Sequence, residues 1–141
     1  MARALIPATA IHPAHALLLA SGFPLFLGCL LSDWAYSATS EVQWINFAAW
    51  LNAGAMVFVG LALLWAVVDF FRSDARRDGG RALYLMVLIA TFVLGLINAL
   101  IHSKDAGATM PAGLILSVFV LLSAIAAVWL GFSSLRSGAR Q

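Results

Sequence analysis

Four long apolar segments, each about 20 residues or more, constrain this chain more than any other feature. They run over residues 13–32, 46–71, 82–101 and 110–132, with short polar connectors between them. At 1.5 Å of rise per residue, each can cross about 30 Å of hydrocarbon as an α-helix. The other structure that can span lipid is a closed barrel, which alternates apolar with polar residues; these runs do not alternate. Composition agrees: 63% of the 141 residues are hydrophobic and 10% charged, against about 45–50% and 25% in a soluble domain. The expectation is a single all-α domain, an integral membrane four-helix bundle. Short connectors make neighbouring helices antiparallel, hence up-down-up-down.

The basic residues predict the orientation. Arg3, then Arg72, Arg76, Arg77 and Arg81, then Arg136 and Arg140 fall on one side, while the other side carries only Lys104 beside Asp33, Glu41 and Asp105. This bias predicts a multi-pass protein whose N and C termini and middle loop are cytoplasmic. Trp34, Trp44 and Trp50 then belong to the outer interface, and Trp65 and Trp129 to the inner one. The net charge of +2 reflects these topology signals rather than a nucleic-acid surface, because basic residues are not interleaved with aromatics along a strand-binding face. Arg3 is the only positive charge ahead of the apolar stretch Ala14–Leu31, which is too long for a secretion-signal core and reads as the first membrane helix.

Small residues predict the packing faces: Ala49, Ala53, Gly54, Gly60 and Ala62 on the second segment, and Gly113, Ser117, Ser123, Ala124 and Ala127 on the fourth. Pro24 within the first segment removes a backbone donor and predicts a kink. The lone Cys29 excludes an intrachain disulfide and any multi-cysteine metal or iron–sulfur site, and reads as a small packing residue.

Ionisable groups inside membrane spans are costly, so they are the candidates for function. They form two sets. The outer set is Asp33, His102, Lys104 and Asp105, with Asn52 and Asn98 deeper in the same half; Asn98 and His102, four apart, share a helical face. The inner set is His12, His15 and Asp69. The bland alternatives are headgroup-level histidines, surface ion pairs at helix ends, and asparagines that join helices by hydrogen bonds. A b-type haem would need two ligands at one depth, but His12 and His15 lie about 25–30 Å from His102 across the bilayer. His102 could serve as a haem ligand only with a partner ligand from another chain, as in a homo-oligomer; a quinone would require only a hydrogen bond. There is no glycine-rich phosphate loop, no serine elbow and no HExxH pair, which points away from catalysis of the soluble type.

Several spaced motifs carry a family resemblance. They are Ile11-His12-Pro13, Phe23-Pro24-Leu25 and Leu31-Ser32-Asp33-Trp34-Ala35-Tyr36 at the start, then Trp44-Ile45-Asn46-Phe47 with Trp50-Leu51 and Asp69. Further on come Ile97-Asn98-Ala99-Leu100-Ile101-His102-Ser103-Lys104-Asp105 and Pro111-Ala112-Gly113-Leu114-Ile115-Leu116-Ser117. Across residues 11–132 the chain resembles the bacterial membrane family known as domain of unknown function 2231. It departs from the family pattern in a longer first spacing, interrupted by His15, and in a tail without the closing glycine-rich motif. The resemblance implies a small four-helix inner-membrane protein found in the company of c-type cytochromes and other periplasmic redox proteins. The expected function is therefore a non-catalytic subunit or docking module of a redox or respiratory complex, its partners being the lipid bilayer and other membrane or periplasmic subunits. The alternatives are a haem- or quinone-binding electron carrier and a small oligomeric transporter or channel, with Asp33, Asn52, Asn98 and His102 lining its outer half.

Overall fold

The computed structural model describes residues 12–72 and 79–138, with side chains as far as Ser133. Arg3, Ile11, Arg76, Arg77 and Arg140, and the side chain of Arg136, lie outside the described residues. Four long helices form the bundle: α1 (Pro13–Thr39), α2 (Val42–Arg72), α3 (Gly79–His102) and α5 (Ala112–Gly138), with one short turn of helix, α4 (Ala106–Thr109), before the last. All four are long and apolar enough to cross a membrane. They pack in a ring in which α1 touches α2 and α5, and α3 touches α2 and α5. Neighbours run antiparallel, as the short connections require.

The expected connector at residues 33–45 is almost entirely helical. α1 continues through Asp33 to Thr39, and α2 begins at Val42. The turn between them is made by Ser40, which adopts a left-handed conformation (φ 57°) and donates its backbone N–H to the carbonyl of Tyr36 at 2.7 Å. That bond satisfies a helix-end carbonyl, which is why two residues suffice to reverse the chain. At the other end of α1, Pro13 occupies the first turn and the His12 Nδ1 accepts a hydrogen bond from the Ala14 N–H at 3.2 Å. Gly79 and Gly80 begin α3. Pro111 immediately precedes the first residue of α5.

Each helix turns one narrow seam inward. The seam positions are 15, 19, 22, 26, 29 and 33 on α1, with Ser32 buried beside them, and 45, 48, 52, 55, 59, 62 and 66 on α2. They are 88, 91, 95, 98 and 102 on α3, and 113, 117, 120, 124, 127 and 131 on α5, with Leu121 buried beside them. The alternation of three and four is the signature of knobs-into-holes packing between nearly parallel axes. Between the helix ends the outward surface is mainly apolar, with Leu17, Val57, Leu64, Met86, Leu100, Phe119 and Leu122 exposed. That is the expected surface where lipid replaces water as solvent. Trp34, Trp44 and Trp50 are exposed near the α1–α2 turn, and Trp129 is exposed near the opposite end.

The small-residue face of α2 is shifted from the expected one. Ala48, Ala55 and Ala62 are buried, whereas Ala53 is exposed and Ala49 and Gly54 are only partly covered. A lipid-exposed alanine costs nothing, so residue size alone does not mark the inner face. On α5, Gly113, Ser117, Ala124 and Ala127 are buried as expected, while Ser123 is partly covered. α1 packs tightly against α2 at Gly22, where an added Cβ would lie 2.8 Å from the Val59 Cγ2. Gly22→Leu is expected to cost about 1–3 kcal/mol by overpacking, measured as a lower unfolding midpoint in detergent. An unchanged midpoint would mean that α1 and α2 are not tightly packed at this level.

Candidate functional site

The seam positions near the end of the bundle that carries residues 40–41 and 103–111 are polar, and they meet. Asp33 ends the inward face of α1, and His102 is the last residue of α3. The His102 Nε2 lies 2.7 Å from the Asp33 Oδ1, and the two side chains are 1% and 0% exposed. The His102 Nδ1 lies 2.9 Å from the backbone carbonyl of Asn98, one turn earlier. A carbonyl only accepts, so Nδ1 carries a proton, and a second proton is shared between Nε2 and the carboxylate. The pair is therefore neutral overall whichever partner holds that second proton. This makes an acid and an imidazole tolerable where either charge alone would not be.

The remaining carboxylate oxygen is held from α5. Ser117 donates its hydroxyl to the Asp33 Oδ2 at 2.5 Å, and the Cys29 thiol, one turn before Asp33, points to the same oxygen at 3.9 Å. Cys29 Sγ and Ser117 Oγ are 3.4 Å apart. Beneath them, the Asn98 amide donates to Ser117 Oγ at 3.0 Å and to the Asn52 Oδ1 at 3.3 Å, and lies 3.8 Å from Cys29 Sγ. Asn52 in turn donates to the carbonyl of Gly95 at 3.1 Å. One continuous network thus ties α1, α2, α3 and α5 together. Its floor is apolar: a Cβ at Gly95 would collide with the Met56 sulfur and meet Phe26 Cζ at 3.4 Å. Gly113 makes room for the imidazole, since a Cβ there would lie 3.2 Å from His102 Cε1.

Of the outer set, Asp33, Asn52, Asn98 and His102 come together. Lys104 and Asp105 do not: both are exposed on the connector after α3, and Asp105 caps α4 without a side-chain hydrogen bond. A lysine there keeps its ammonium in water at no cost, whereas joining the interior would mean desolvating a further charge. Asp33 is not a helix-end surface carboxylate, because α1 runs a further six residues past it. Cys29 and Ser117 belong to the site although neither was singled out for chemistry in the sequence. The signal was there in the spacing: Cys29 with Asp33 and Gly113 with Ser117 are each four apart, the same interval as Asn98 and His102.

The inner set is only partly assembled. His15 is buried and its Nε2 lies 2.7 Å from the Tyr84 hydroxyl, while its Nδ1 has no hydrogen-bond partner. His12 stands over Trp65 with ring centroids 5.2 Å apart. Asp69 is exposed, lining a shallow surface groove of about 450 Å³ with Trp65 and Arg72, and its charge reaches His15.

Cys29, Asp33 and His102 each offer one ligand atom, and the three atoms lie within 4.8 Å of one another. The cluster therefore combines a thiol, a carboxylate and an imidazole, dry and held from several sides, at one end of a membrane bundle.

Comparison with curated proteins and with solved structures gave no match. A family model described as a predicted membrane protein, DUF2231, matches residues 11–136, so that with its four apolar helices and nearly its whole length this chain belongs to that family.

Proposed function

We propose that the chain is a non-catalytic module of a redox or respiratory assembly in the bacterial inner membrane, with both termini cytoplasmic. In this reading the end that carries residues 103–111 faces outward and docks a membrane or periplasmic redox subunit. The observation that carries it is the network beneath that end. Asp33, His102, Ser117 and Asn98 bond to one another across the helices, so they fix the platform on which the exposed Ser103, Lys104 and Asp105 stand. Their polar atoms are directed inward, toward each other. The seven arginines against one lysine support the orientation. A haem on His102 would have to displace Asp33 from Nε2, which favours docking over ligation by this histidine.

The test is purification from the native membrane in mild detergent, with oxidised and reduced absorbance spectra of the intact assembly. The expected result is stoichiometric co-migration with a haem-containing complex. Reversing both exposed charges together, Lys104→Glu with Asp105→Lys, should lower that association about tenfold or more while leaving the bundle folded, because complementary charges steer and fix docking. A lone colourless monomer, or association indifferent to both charges, would overturn the reading.

A further inference from the structure

We propose that Cys29, Asp33 and His102 form a binding site for a divalent transition-metal ion of the zinc type, independent of any docked partner. The three donors are a thiolate sulfur, a carboxylate oxygen and an imidazole nitrogen, the set that zinc-type ions take and that magnesium or calcium do not. Their potential ligand atoms already lie within 4.8 Å of one another. A tetrahedral ion about 2.0–2.3 Å from its ligands sets them roughly 3.3–3.8 Å apart. Cys29 Sγ and Asp33 Oδ2 are 3.9 Å apart, close to that spacing. The Asp33 Oδ1 and His102 Nε2, at 2.7 Å, must separate by about the width of a small side-chain rotation to admit the ion.

The surroundings match those of metal-bound histidines. Such a histidine usually donates its other ring nitrogen to a carbonyl or carboxylate, which fixes its tautomer and orientation. Here the Nδ1 is already held by the carbonyl of Asn98 at 2.9 Å, leaving Nε2 to face Asp33. The Asn98 amide nitrogen lies 3.8 Å from the thiol sulfur, and Ser117 braces the carboxylate. The Asn98 Oδ1 is fully buried and has no hydrogen-bond partner. A water in the ion's fourth coordination position would supply it with a donor.

The exchange balances. One dication enters; the thiol proton of Cys29 and the proton shared between His102 Nε2 and Asp33 leave. Thiolate and carboxylate together offset the ion's charge, so the site is neutral before and after, as a site walled by membrane helices requires. No atom changes oxidation state.

The test is titration of the detergent-purified full chain, stripped of metal, first with Co²⁺ and then with Zn²⁺. The expected result is one cobalt per chain with a thiolate-to-cobalt charge-transfer band that Zn²⁺ abolishes. Cys29→Ser, which keeps the hydrogen bonds, should abolish the band, and His102→Gln should weaken binding more than about 100-fold, beyond the loss of an outer hydrogen bond. His12→Ala should change neither. A wild-type chain without the band overturns the proposal, as does binding that persists undiminished in Cys29→Ser and His102→Gln. Binding that disappears only in His12→Ala would do the same, by tracing the metal to the opposite end of the bundle.

Discussion

Replacing Asp33 with alanine should lower the unfolding free energy of the bundle by about 3–5 kcal/mol, the cost of removing one partner from a buried ion pair. The substitution strands two polar groups at once. His102 Nε2 loses its partner at 2.7 Å and the Ser117 hydroxyl loses its acceptor at 2.5 Å, in a region where water does not replace them. The partner change, His102→Ala, should be costly as well. The double replacement should cost less than the sum of the two single ones, because the second change removes a group that the first has already orphaned. Reversible unfolding in mixed micelles, with all four corners of the cycle measured, checks this. Strictly additive effects would mean that Asp33 and His102 stabilise the bundle separately, and that the bond joining α1 to α3 contributes nothing.

The second large effect is expected at Phe26. Its ring is 1% exposed and lies at the level of Gly95 and Met56, under the Asn52–Gly95 bond. In a soluble core Phe→Ala costs about 3–5 kcal/mol, part from transfer out of water and part from the cavity left behind. In lipid the transfer part largely vanishes, since the unfolded helices are already in an apolar medium. The cavity part remains, so Phe26→Ala should cost about 2–3 kcal/mol. Phe119→Ala, on the lipid-exposed face of α5, should cost well under about 1 kcal/mol. Equal losses at the two positions would mean that the inward seam is not the packing face. Loss of the floor should also loosen the network above it, seen as faster hydrogen exchange near Asn98 and His102.

Much of the architecture is legible before any coordinates. The apolar runs around residues 13–32, 46–71, 82–101 and 110–132 specify four spanning helices because a backbone in lipid must satisfy its own polar groups. Helix ends are less legible. Around Asp33 the polar residues Ser32, Asp33, Ser37 and Thr39 suggest a loop, yet α1 continues to Thr39. Ser37 and Thr39 bond back to the carbonyls of Trp34 and Ala35, so their polarity is absorbed within the helix. The real stop at Ser40 is a backbone event, a left-handed residue in a position where sequence habit expects glycine.

The candidate site was half legible, for a related reason. Asp33, Asn52, Asn98 and His102 stand out because charges and amides are rare in apolar segments. Cys29 and Ser117 do not, because small, weakly polar residues are ordinary packing material between membrane helices. The inner cluster shows the opposite outcome: His12, His15 and Asp69 are equally conspicuous, yet His15 pairs with Tyr84 and Asp69 stays exposed.

The sequence by itself determined that this chain spans a membrane four times, that neighbouring helices are antiparallel, and which polar residues share a level. These follow from the energetics of lipid as solvent and from the fixed rise of a helix, both of which act locally along the chain. Only the tertiary structure decided which face of each helix turns inward. In a segment apolar on every side, exposed leucine and buried leucine cost nearly the same, so hydropathy carries no phase. The phase is set by interlocking shapes at Gly22, Phe26, Gly95 and Gly113 and by the hydrogen bonds they permit. That rotation brings a thiol, a carboxylate, an imidazole and a hydroxyl from three helices to one point.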